Sequence, residues 1–422
     1  MNSFDKVIGY DTIKEELLQI CDMFHNKDIY EKLGAKIPCG VLLHGNPGLG
    51  KSLMAKCFIE ESGFKVYTLR KNKGERKFVE YISKVFEEAK SNAPCIIFLD
   101  DVDKFANEDE SHRDAPEYVA IQSGIDEVKG IDVFVIATAN DIDKLPGSLI
   151  RHGRFDRKIE VLLPTGNDAE KIIRHYFENK KISEDVNLED VSKMLSYSSC
   201  AELEAIINEA AINAAFARRE TILMEDVVKA VLRLEYGSPD NYTVKSPEDL
   251  YKIALHEAGH LVVAEVLCPE SIGLVSIRKS GRDRRGGFAH RCRELSKRVD
   301  NVLVCLGGKA AVELYFSESC ASGCASDISR ATKLLEMGVT ENATHGFGLV
   351  DCYGYAPEEC QSKVQTVVRA ELEKCIFKAK DILIKNKAFL EKATELLVEK
   401  ETLLFSDIKA IRESVEIINV AV

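Results

Sequence analysis

The sequence lacks the features that mark membrane, secreted and disordered proteins. No apolar run in its 422 residues approaches the ~18 residues that a membrane helix needs, and segment 1–17 lacks the apolar centre of a signal peptide. The cysteines number 13, too few for a disulfide scaffold and odd in count. With 45% hydrophobic and 30% charged residues, disorder is excluded as well. We expect a folded chain from the cytoplasm or another reduced intracellular compartment.

An excess of basic residues is also missing. The formal net charge is −12, and binding to nucleic-acid phosphates needs a basic field. The sequence therefore favours a soluble enzyme and no nucleic-acid partner. Two basic stretches, 70–77 and 278–285, depart from this average.

The chain divides into three parts by pattern. Residues 1–165 alternate helical patterns with short apolar runs at 41–43, 95–99 and 133–137, which is typical of strands buried on both faces of a parallel sheet. Residues 166–240 are helical and end at a Tyr-Gly-Ser-Pro-Asp segment, 236–240, that marks a boundary. Residues 241–422 are mostly helical, with strand-like segments near 274–277 and 286–290. We predict an α/β domain, a small helical domain and a larger helical domain.

A glycine-rich loop follows the first apolar run and precedes a helical pattern. It matches G-x-x-x-x-G-K-[ST] with Gly45, Asn46, Pro47, Gly48, Leu49, Gly50, Lys51 and Ser52. Glycines let backbone N–H groups face phosphates, and the helix N-terminus adds positive potential. We expect Lys51 to contact the β- and γ-phosphates of a nucleotide and the Ser52 hydroxyl to bind Mg²⁺.

Two carboxylates end the strand at 95–99. Asp100 lies where the nucleotide's Mg²⁺ needs a further partner. Asp101 is the natural residue to orient an attacking water. An acidic turn is the alternative for these two residues, and the neighbouring phosphate loop argues against it.

The last third of the chain carries H-E-x-x-H. Ser246 and Pro247 favour a helix start, and a helix over 247–267 places His256 and His260 on one face, with Glu257 beside them. Two such imidazoles can bind Zn²⁺, with the glutamate as general base. Two half-buried core histidines are the alternative.

A catalytic zinc usually takes a third protein ligand. The residues alone leave this ligand open among several acids and histidines: Glu265, Asp283, His290, Glu313, Asp327 and His345. The spacing of Cys320 and Cys324 is wrong for a zinc finger, and we interpret both as ordinary small residues.

With both motifs in this order, the chain resembles the FtsH-type AAA metalloproteases, the ATP-dependent zinc proteases of bacteria and organelles. The resemblance extends over nearly the whole chain, and beyond the two motifs it includes segments 7–10, 36–41, 92–98, 135–140, 151–157, 200–211, 306–311 and 322–332. It implies an AAA module, made of a parallel sheet and a helical lid, followed by a mostly helical zinc metalloprotease domain.

The resemblance also implies roles for particular residues. Asn140 would be the polar sensor, and Arg151 and Arg154 would reach the γ-phosphate of a neighbouring subunit's nucleotide. Segment 322–332 resembles the one that carries the third zinc ligand, which selects Asp327. The implied cofactors are Zn²⁺, ATP and Mg²⁺, and the implied partners are unfolded protein substrates and five further copies in a homohexamer.

Three departures from the family pattern bear on function. The family has Glu where this chain has Asp101, one methylene shorter. The aromatic pore loop of the family falls at 74–76, which here reads Gly-Glu-Arg. The family's N-terminal membrane segments have no counterpart in this sequence.

Two functions are therefore open at this stage. The first is an ATP-driven zinc protease that degrades unfolded or misfolded proteins. The second is a nucleotide-bound ring with little or no ATP hydrolysis, whose peptidase domain cleaves chains that are already unfolded. The intact zinc motif argues against a remodeller without protease activity.

Overall fold

A computed structural model describes residues 2–71, 75–106, 116–238, 246–279, 281, 286–316, 324–342, 344 and 358–420. Side chains at 75–76 and 358–360 lie outside this description. The chain forms two compact units. The first comprises Met1–Asn179 with Tyr197–Ala205, and the second Lys180–Ser196 with Ile206–Val422. The predicted boundaries at 165 and 240 stay a prediction.

The first unit is built on a five-stranded parallel sheet of order β2-β3-β4-β1-β5. The strands are β1 (Gly40–His44), β2 (Lys65–Leu69), β3 (Cys95–Leu99), β4 (Val133–Ala139) and β5 (Arg157–Glu160). The three apolar runs of the sequence are the three inner strands, as predicted. The edge strands β2 and β5 were not predicted, because most of their residues are exposed and lack a continuous apolar run.

Helices cover both faces of this sheet. The helices of the first unit are α1 (Asp11–His25), α2 (Lys27–Lys32), α3 (Lys51–Ser62), α4 (Glu75–Ser91), α5 (Pro116–Glu127) and α6 (Asn167–Phe177), with 3₁₀ turns at Ser3–Lys6 and Val102–Lys104. Phe86 of α4 shares a buried cluster with Val135 of β4. The preceding residue of β4, Phe134, points to the opposite face, where its ring contacts Phe24 of α1 and Phe58 of α3. The predicted layered α/β fold is confirmed.

Three helices follow in the predicted helical segment. They are α7 (Leu188–Met194), α8 (Cys200–Phe216) and α9 (Met224–Leu234). They agree with the helical character predicted for residues 166–240.

The rest of the second unit is a helical assembly with a small antiparallel sheet. Its helices are α10 (Pro247–Leu267), α11 (Arg298–Tyr315), α12 (Ala325–Glu341), α13 (Glu358–Lys385), α14 (Lys387–Lys400) and α15 (Phe405–Glu413). The sheet order is β7-β6-β8, with β6 (Ile272–Ser276), β7 (Phe288–Arg291) and β8 (Thr402–Leu404). The three-residue β8 was not predicted, since it is too short for a pattern of its own. Within the described residues, none of these helices combines the length and apolarity needed to cross a membrane.

Helix α10 begins as its sequence predicts and crosses α11 at very short range. The Ser246 hydroxyl accepts from the Asp249 N–H at 3.2 Å, and Pro247 occupies the first turn. At the crossing, a Cβ added to Gly259 would lie 2.4 Å from the Gly307 carbonyl oxygen, and one added to Gly307 would lie 2.6 Å from the Gly259 oxygen. The two backbones therefore touch, and only glycine permits this contact.

We expect Gly307→Ala to destabilise the second unit by about 1–3 kcal/mol, because the new methyl group has to push two helix backbones apart. The matched control is Gly338→Ala in α12, where the nearest atom to an added Cβ is the Thr344 hydroxyl at 3.4 Å. That control should be neutral or stabilising by up to about 1 kcal/mol from helix propensity. Thermal unfolding followed by circular dichroism measures both, and equal transition temperatures would contradict the backbone contact.

Candidate functional site

The glycine loop between β1 and α3 has the backbone that phosphate binding requires. Gly45, Gly48 and Gly50 all have positive φ, at 141°, 79° and 85°. Lys51 is 5% exposed, and its ammonium donates to the Gly45 and Asn46 carbonyl oxygens, each at 2.7 Å. It also donates to Asn140 Oδ1 at 2.9 Å. Burial lowers the pKa of Lys51, against the opposing effect of nearby Asp101 and Asp103.

Asp100 and Ser52 meet at the carboxyl end of β3. The Ser52 hydroxyl donates to Asp100 Oδ1 at 2.8 Å, and the Thr138 hydroxyl donates to the same oxygen at 3.0 Å. A hydroxyl and a carboxylate beside a phosphate loop are the ligands that a nucleotide's Mg²⁺ uses. Thr138 was missed by the sequence reasoning, although it lies in the sensor strand two residues before Asn140.

Asp101 adopts a left-handed backbone conformation with φ of 56°. Its N–H donates to the Thr138 hydroxyl at 2.9 Å. The carboxylate accepts from Asn140 Nδ2 at 3.3 Å and from Lys104 Nζ at 2.6 Å. Asn140 therefore links the carboxylate of Asp101 to the ammonium of Lys51.

The start of α8 covers the phosphate loop. The Ala201 N–H donates to the Gly48 carbonyl oxygen at 3.0 Å. A Cβ added to Gly48 would lie 3.0 Å from both the Ser199 hydroxyl and the Ala201 Cβ. Nearby, the Tyr10 hydroxyl donates to the Leu162 carbonyl oxygen at 3.0 Å and lies 3.6 Å from the Cys200 sulfur. These contacts come from distant parts of the chain, and no local pattern indicated them.

The two arginines of segment 151–157 have opposite environments. Arg151 is exposed. Arg154 is 1% exposed, and its guanidinium is bonded to Asp126 and to the Ser148 carbonyl oxygen. The resemblance implied the same role, contact with a neighbouring subunit's γ-phosphate, for both arginines. The structure brings neither into contact with the phosphate loop of its own chain within the described residues.

His256, His260 and Asp327 form one cluster, with a ligand atom from each within 4.8 Å of the others. The two Nε2 atoms are 3.1 Å apart, and Asp327 Oδ2 lies 3.3 Å from His256 Nε2 and 3.6 Å from His260 Nε2. Ligands at about 2.0–2.2 Å from a tetrahedral zinc are about 3.4 Å from one another. The donor set and its spacing therefore fit zinc.

The outer nitrogens of the two rings contact different partners. His260 Nδ1 lies 2.6 Å from the Val304 carbonyl oxygen, which places its proton on that nitrogen and leaves Nε2 to a metal. His256 Nδ1 lies 4.0 Å from the Cys324 sulfur. Cys324 is thus the neighbour of a metal ligand, which the interpretation as an ordinary small residue did not include.

Charge within the cluster is mutually stabilising. Burial opposes the charged form of His260, but its bond to Asp327 and the negative Glu257 outweigh this and raise its pKa. Burial would raise the pKa of Asp327, and the hydrogen bonds from the two histidines lower it well below its usual range. A carboxylate that stays ionised is what a cation site needs.

Glu257 is 5% exposed and lies against the loop before β7. A Cβ added to Gly287 would lie 2.6 Å from Glu257 Oε1. Only glycine at 287 leaves room for this carboxylate. Within the described residues β7 pairs only with β6, and the residue before it, Gly287, contacts this carboxylate.

The other proposed third ligands have different environments. Glu265 accepts from the N–H groups of Glu270, Ser271 and Ile272, at 2.8–3.0 Å. Glu313 is paired with Lys309 and, at 2.8 Å, with Lys380.

His290 is a β7 residue whose pKa burial lowers to about 4. Asp283, Cys320 and His345 lie outside the described residues, as do residues 72–74 of the basic stretch 70–77.

Two family models match the chain. Residues 41–163 match the ATPase family associated with various cellular activities (AAA), and residues 243–411 match peptidase family M41. The first covers the phosphate loop, Asp100 and Asn140, and the second covers the whole metal cluster.

The curated relatives carry both parts. The chain is 33% identical, over 95% of its length and 69% of the relative's, to ATP-dependent zinc metalloprotease FtsH 3 of Symbiobacterium thermophilum. It is 32% identical to ATP-dependent zinc metalloprotease FtsH of Thermus thermophilus, over 97% of the chain and 70% of the relative. It is 31% identical to ATP-dependent zinc metalloprotease FtsH of Thermotoga maritima, over 97% of the chain and 72% of the relative.

We expect Gly308→Ala to lower zinc affinity by about 10- to 100-fold, the range for losing the support of a ligand. A Cβ at 308 would lie 2.5 Å from His256 Cε1 and 2.6 Å from His260 Nε2, so both rings have to move. Zinc content after dialysis against a competing chelator measures this. Gly338→Ala is the control and should keep its zinc. Equal zinc retention by the two variants would contradict the packing described.

Proposed function

The chain belongs to the FtsH-type ATP-dependent zinc metalloproteases, and on that premise we propose that it hydrolyses peptide bonds of unfolded or misfolded proteins at a zinc site, in a homohexameric ring driven by ATP. One observation carries the proposal: a single chain holds a phosphate loop with a paired Ser52 and Asp100, and a His-His-Asp cluster with Glu257 beside it.

The metal cluster and Glu257 divide the peptidase chemistry. His256, His260 and Asp327 would hold zinc, which when bound supplies the Lewis acidity that polarises a scissile carbonyl and makes water a better nucleophile at neutral pH. Glu257 takes a proton from the attacking water and delivers it to the leaving amine nitrogen. Its buried position between α10 and Gly287 limits its motion between these two steps.

Strand β7 would orient the substrate. An extended chain can pair with an exposed strand edge through backbone hydrogen bonds alone, which suits a protease with many substrates. The strand is short, and the residue before it, Gly287, lies against the Glu257 carboxylate. Phe288 is fixed by stacking on Tyr236, with ring centroids 3.9 Å apart. A substrate paired along β7 would therefore pass beside the general base.

ATP would act through the first unit. Lys51 would bind the phosphates, Ser52 and Asp100 would hold Mg²⁺, and Asp101 with Asn140 would orient the attacking water. The exposed Arg151 reaches the nucleotide of a neighbouring subunit, which makes hydrolysis depend on the ring.

Degradation of a fluorescently labelled unfolded protein, in zinc buffer with and without ATP, tests the proposal. We expect the wild-type chain to need ATP. Glu257→Gln should keep its zinc and lose cleavage by about 10²–10⁴-fold, the contribution of a general base. Asp249→Asn on the same helix serves as a control, since Asp249 lies two turns away at the exposed helix start. Undiminished cleavage by Glu257→Gln, or equal wild-type rates with and without ATP, would contradict the proposal.

We expect Asp101→Glu to raise the rate of ATP hydrolysis about tenfold or more, with little change in KM for ATP. The carboxylate of Asp101 is held by Asn140 and Lys104, and one more methylene brings it closer to the γ-phosphate. A shift of about 1 Å in a catalytic group can change a rate by about 100-fold. Phosphate release measures turnover, with Asp143→Glu, an exposed residue of the same unit, as control. A slower Asp101→Glu enzyme would show that the site is adapted to the shorter side chain.

A further inference from the structure

One face of α5 holds the loop that contains Arg151 and Arg154. Tyr118, Gln122 and Asp126 are spaced four residues apart, so they form a single stripe on the helix. All three residues of the stripe face segment 148–154. On the adjoining face of α5, Ile121 and Ile125 are buried in the core of the first unit.

The strongest contact of the stripe is the Asp126–Arg154 ion pair. Arg154 Nε donates to Asp126 Oδ1 at 3.1 Å, and the terminal Nη2 donates to Oδ2 at 2.7 Å. This is the two-pronged geometry that makes an arginine–carboxylate pair strong and directional. Nη1 donates to the Ser148 carbonyl oxygen. All three nitrogens of the guanidinium are therefore bonded within the same subunit.

The rest of the loop is fixed to the same face. The Tyr118 hydroxyl is hydrogen-bonded to the Ser148 hydroxyl. The Gln122 amide satisfies its neighbours when its oxygen is assigned to the side of Arg154. In that orientation the oxygen accepts from both terminal nitrogens at 2.8 Å and 3.1 Å, and the nitrogen donates to the Tyr118 hydroxyl at 2.7 Å.

Residues 151–154 form a turn within this loop, and Asp156 closes it. Its carboxylate accepts from the Gly153 N–H at 2.7 Å and from the Cys39 N–H, just before β1, at 2.6 Å. The turn is thus anchored to the sheet on one side and to α5 on the other.

Arg151 lies at the start of this turn, with its side chain exposed. Its carbonyl oxygen accepts from the Arg154 N–H at 3.2 Å. The two arginines are thus joined by one backbone hydrogen bond while their side chains have opposite environments. If the Arg154 side chain turned toward a neighbouring subunit, its guanidinium would lose its bonds to Asp126 and Ser148. The turn that presents Arg151 would then lose its attachment to α5.

We propose that Arg154 is a positioning residue, which with Asp126 fixes the turn so that Arg151 alone reaches the neighbouring subunit's nucleotide. This rests on the proposed ring ATPase, and it departs from the implied role of Arg154 as a second arginine finger. Helix α5 then becomes the element that sets where the finger lies.

Substitutions on both sides of the ion pair test the assignment, with ATP turnover measured on the full-length, assembled chain. We expect Asp126→Ala and Arg154→Ala to lower kcat by similar factors, about 10- to 100-fold, the effect of a small misplacement, with KM for ATP little changed. Because the two residues act as a unit, the double variant should be no slower than the slower single variant. Arg154→Lys, which keeps a bond to Asp126, should recover part of the rate.

The control is Lys129→Ala. Lys129 contacts the same carboxylate from the exposed side, at 2.5 Å from Asp126 Oδ1. Its loss leaves the Arg154 pair in place, so wild-type turnover is expected. If Arg154 were itself the nucleotide contact, Asp126→Ala would keep near-wild-type turnover, and Arg154→Ala and Arg154→Lys would both lose about 10³-fold or more. That pattern overturns the proposal.

A second readout does not depend on ATP hydrolysis. Trypsin cuts after an exposed arginine when its loop is free, so cleavage after Arg151, identified by mass spectrometry, should be faster in Asp126→Ala and Arg154→Ala than in the wild type. Unchanged cleavage in both variants overturns the positioning role. Wild-type turnover by Arg151→Ala overturns the ring ATPase with Arg151 as its finger, while accelerated tryptic cleavage would still establish the Asp126–Arg154 anchor.

Discussion

The metal centre depends on the direct contact between the backbones of α10 and α11. Gly259 and Gly307 bring the two helices to a distance that no side chain would permit. At that distance three residues of one α11 face serve the site: the Val304 carbonyl oxygen bonds His260, Gly307 makes the crossing, and Gly308 leaves space for both imidazoles. The spacing of 304, 307 and 308 is that of one helical face. The ligand geometry is therefore set by helix packing before any metal is considered.

The nucleotide site follows from a different constraint, the order of strands in a parallel sheet. Strands β1, β3 and β4 are neighbours in the order β3-β4-β1, and their carboxyl ends lie at one edge. The phosphate loop, Asp100 and Asn140 each follow or end one of these strands. The strand order thus brings together residues that are far apart in sequence, as ligand sites at the carboxyl ends of α/β sheets generally require. Thr138 links them, since its hydroxyl bonds both aspartates.

Sequence alone predicts the parts of both sites that depend on local geometry. The phosphate loop, the H-E-x-x-H helix and its first residue follow from spacing and capping, and the three inner strands follow from apolar runs. The third metal ligand cannot be predicted from local geometry, because Asp327 reaches the histidines through the packing of α12 on α11. The resemblance selected it among six possible residues. The edge strands β2 and β5 were not predicted because their exposed residues do not form an apolar run. The strand β8 was not predicted because it is too short to show an alternating pattern.

The arginine segment shows a further limit of motif reading. Arg151 and Arg154 have the same chemistry and are three residues apart, so a motif assigns them the same role. Their difference arises from a helix that ends 24 residues earlier, at Glu127, whose polar stripe bonds one guanidinium and leaves the other exposed. A guanidinium with all its nitrogens bonded inside its own subunit has little to gain from a phosphate elsewhere, since the bonds it loses are as strong as those it makes. An exposed guanidinium loses only its hydrogen bonds to water when it binds a phosphate. The environment of each arginine, more than its place in the motif, decides which of the two is available to a neighbour.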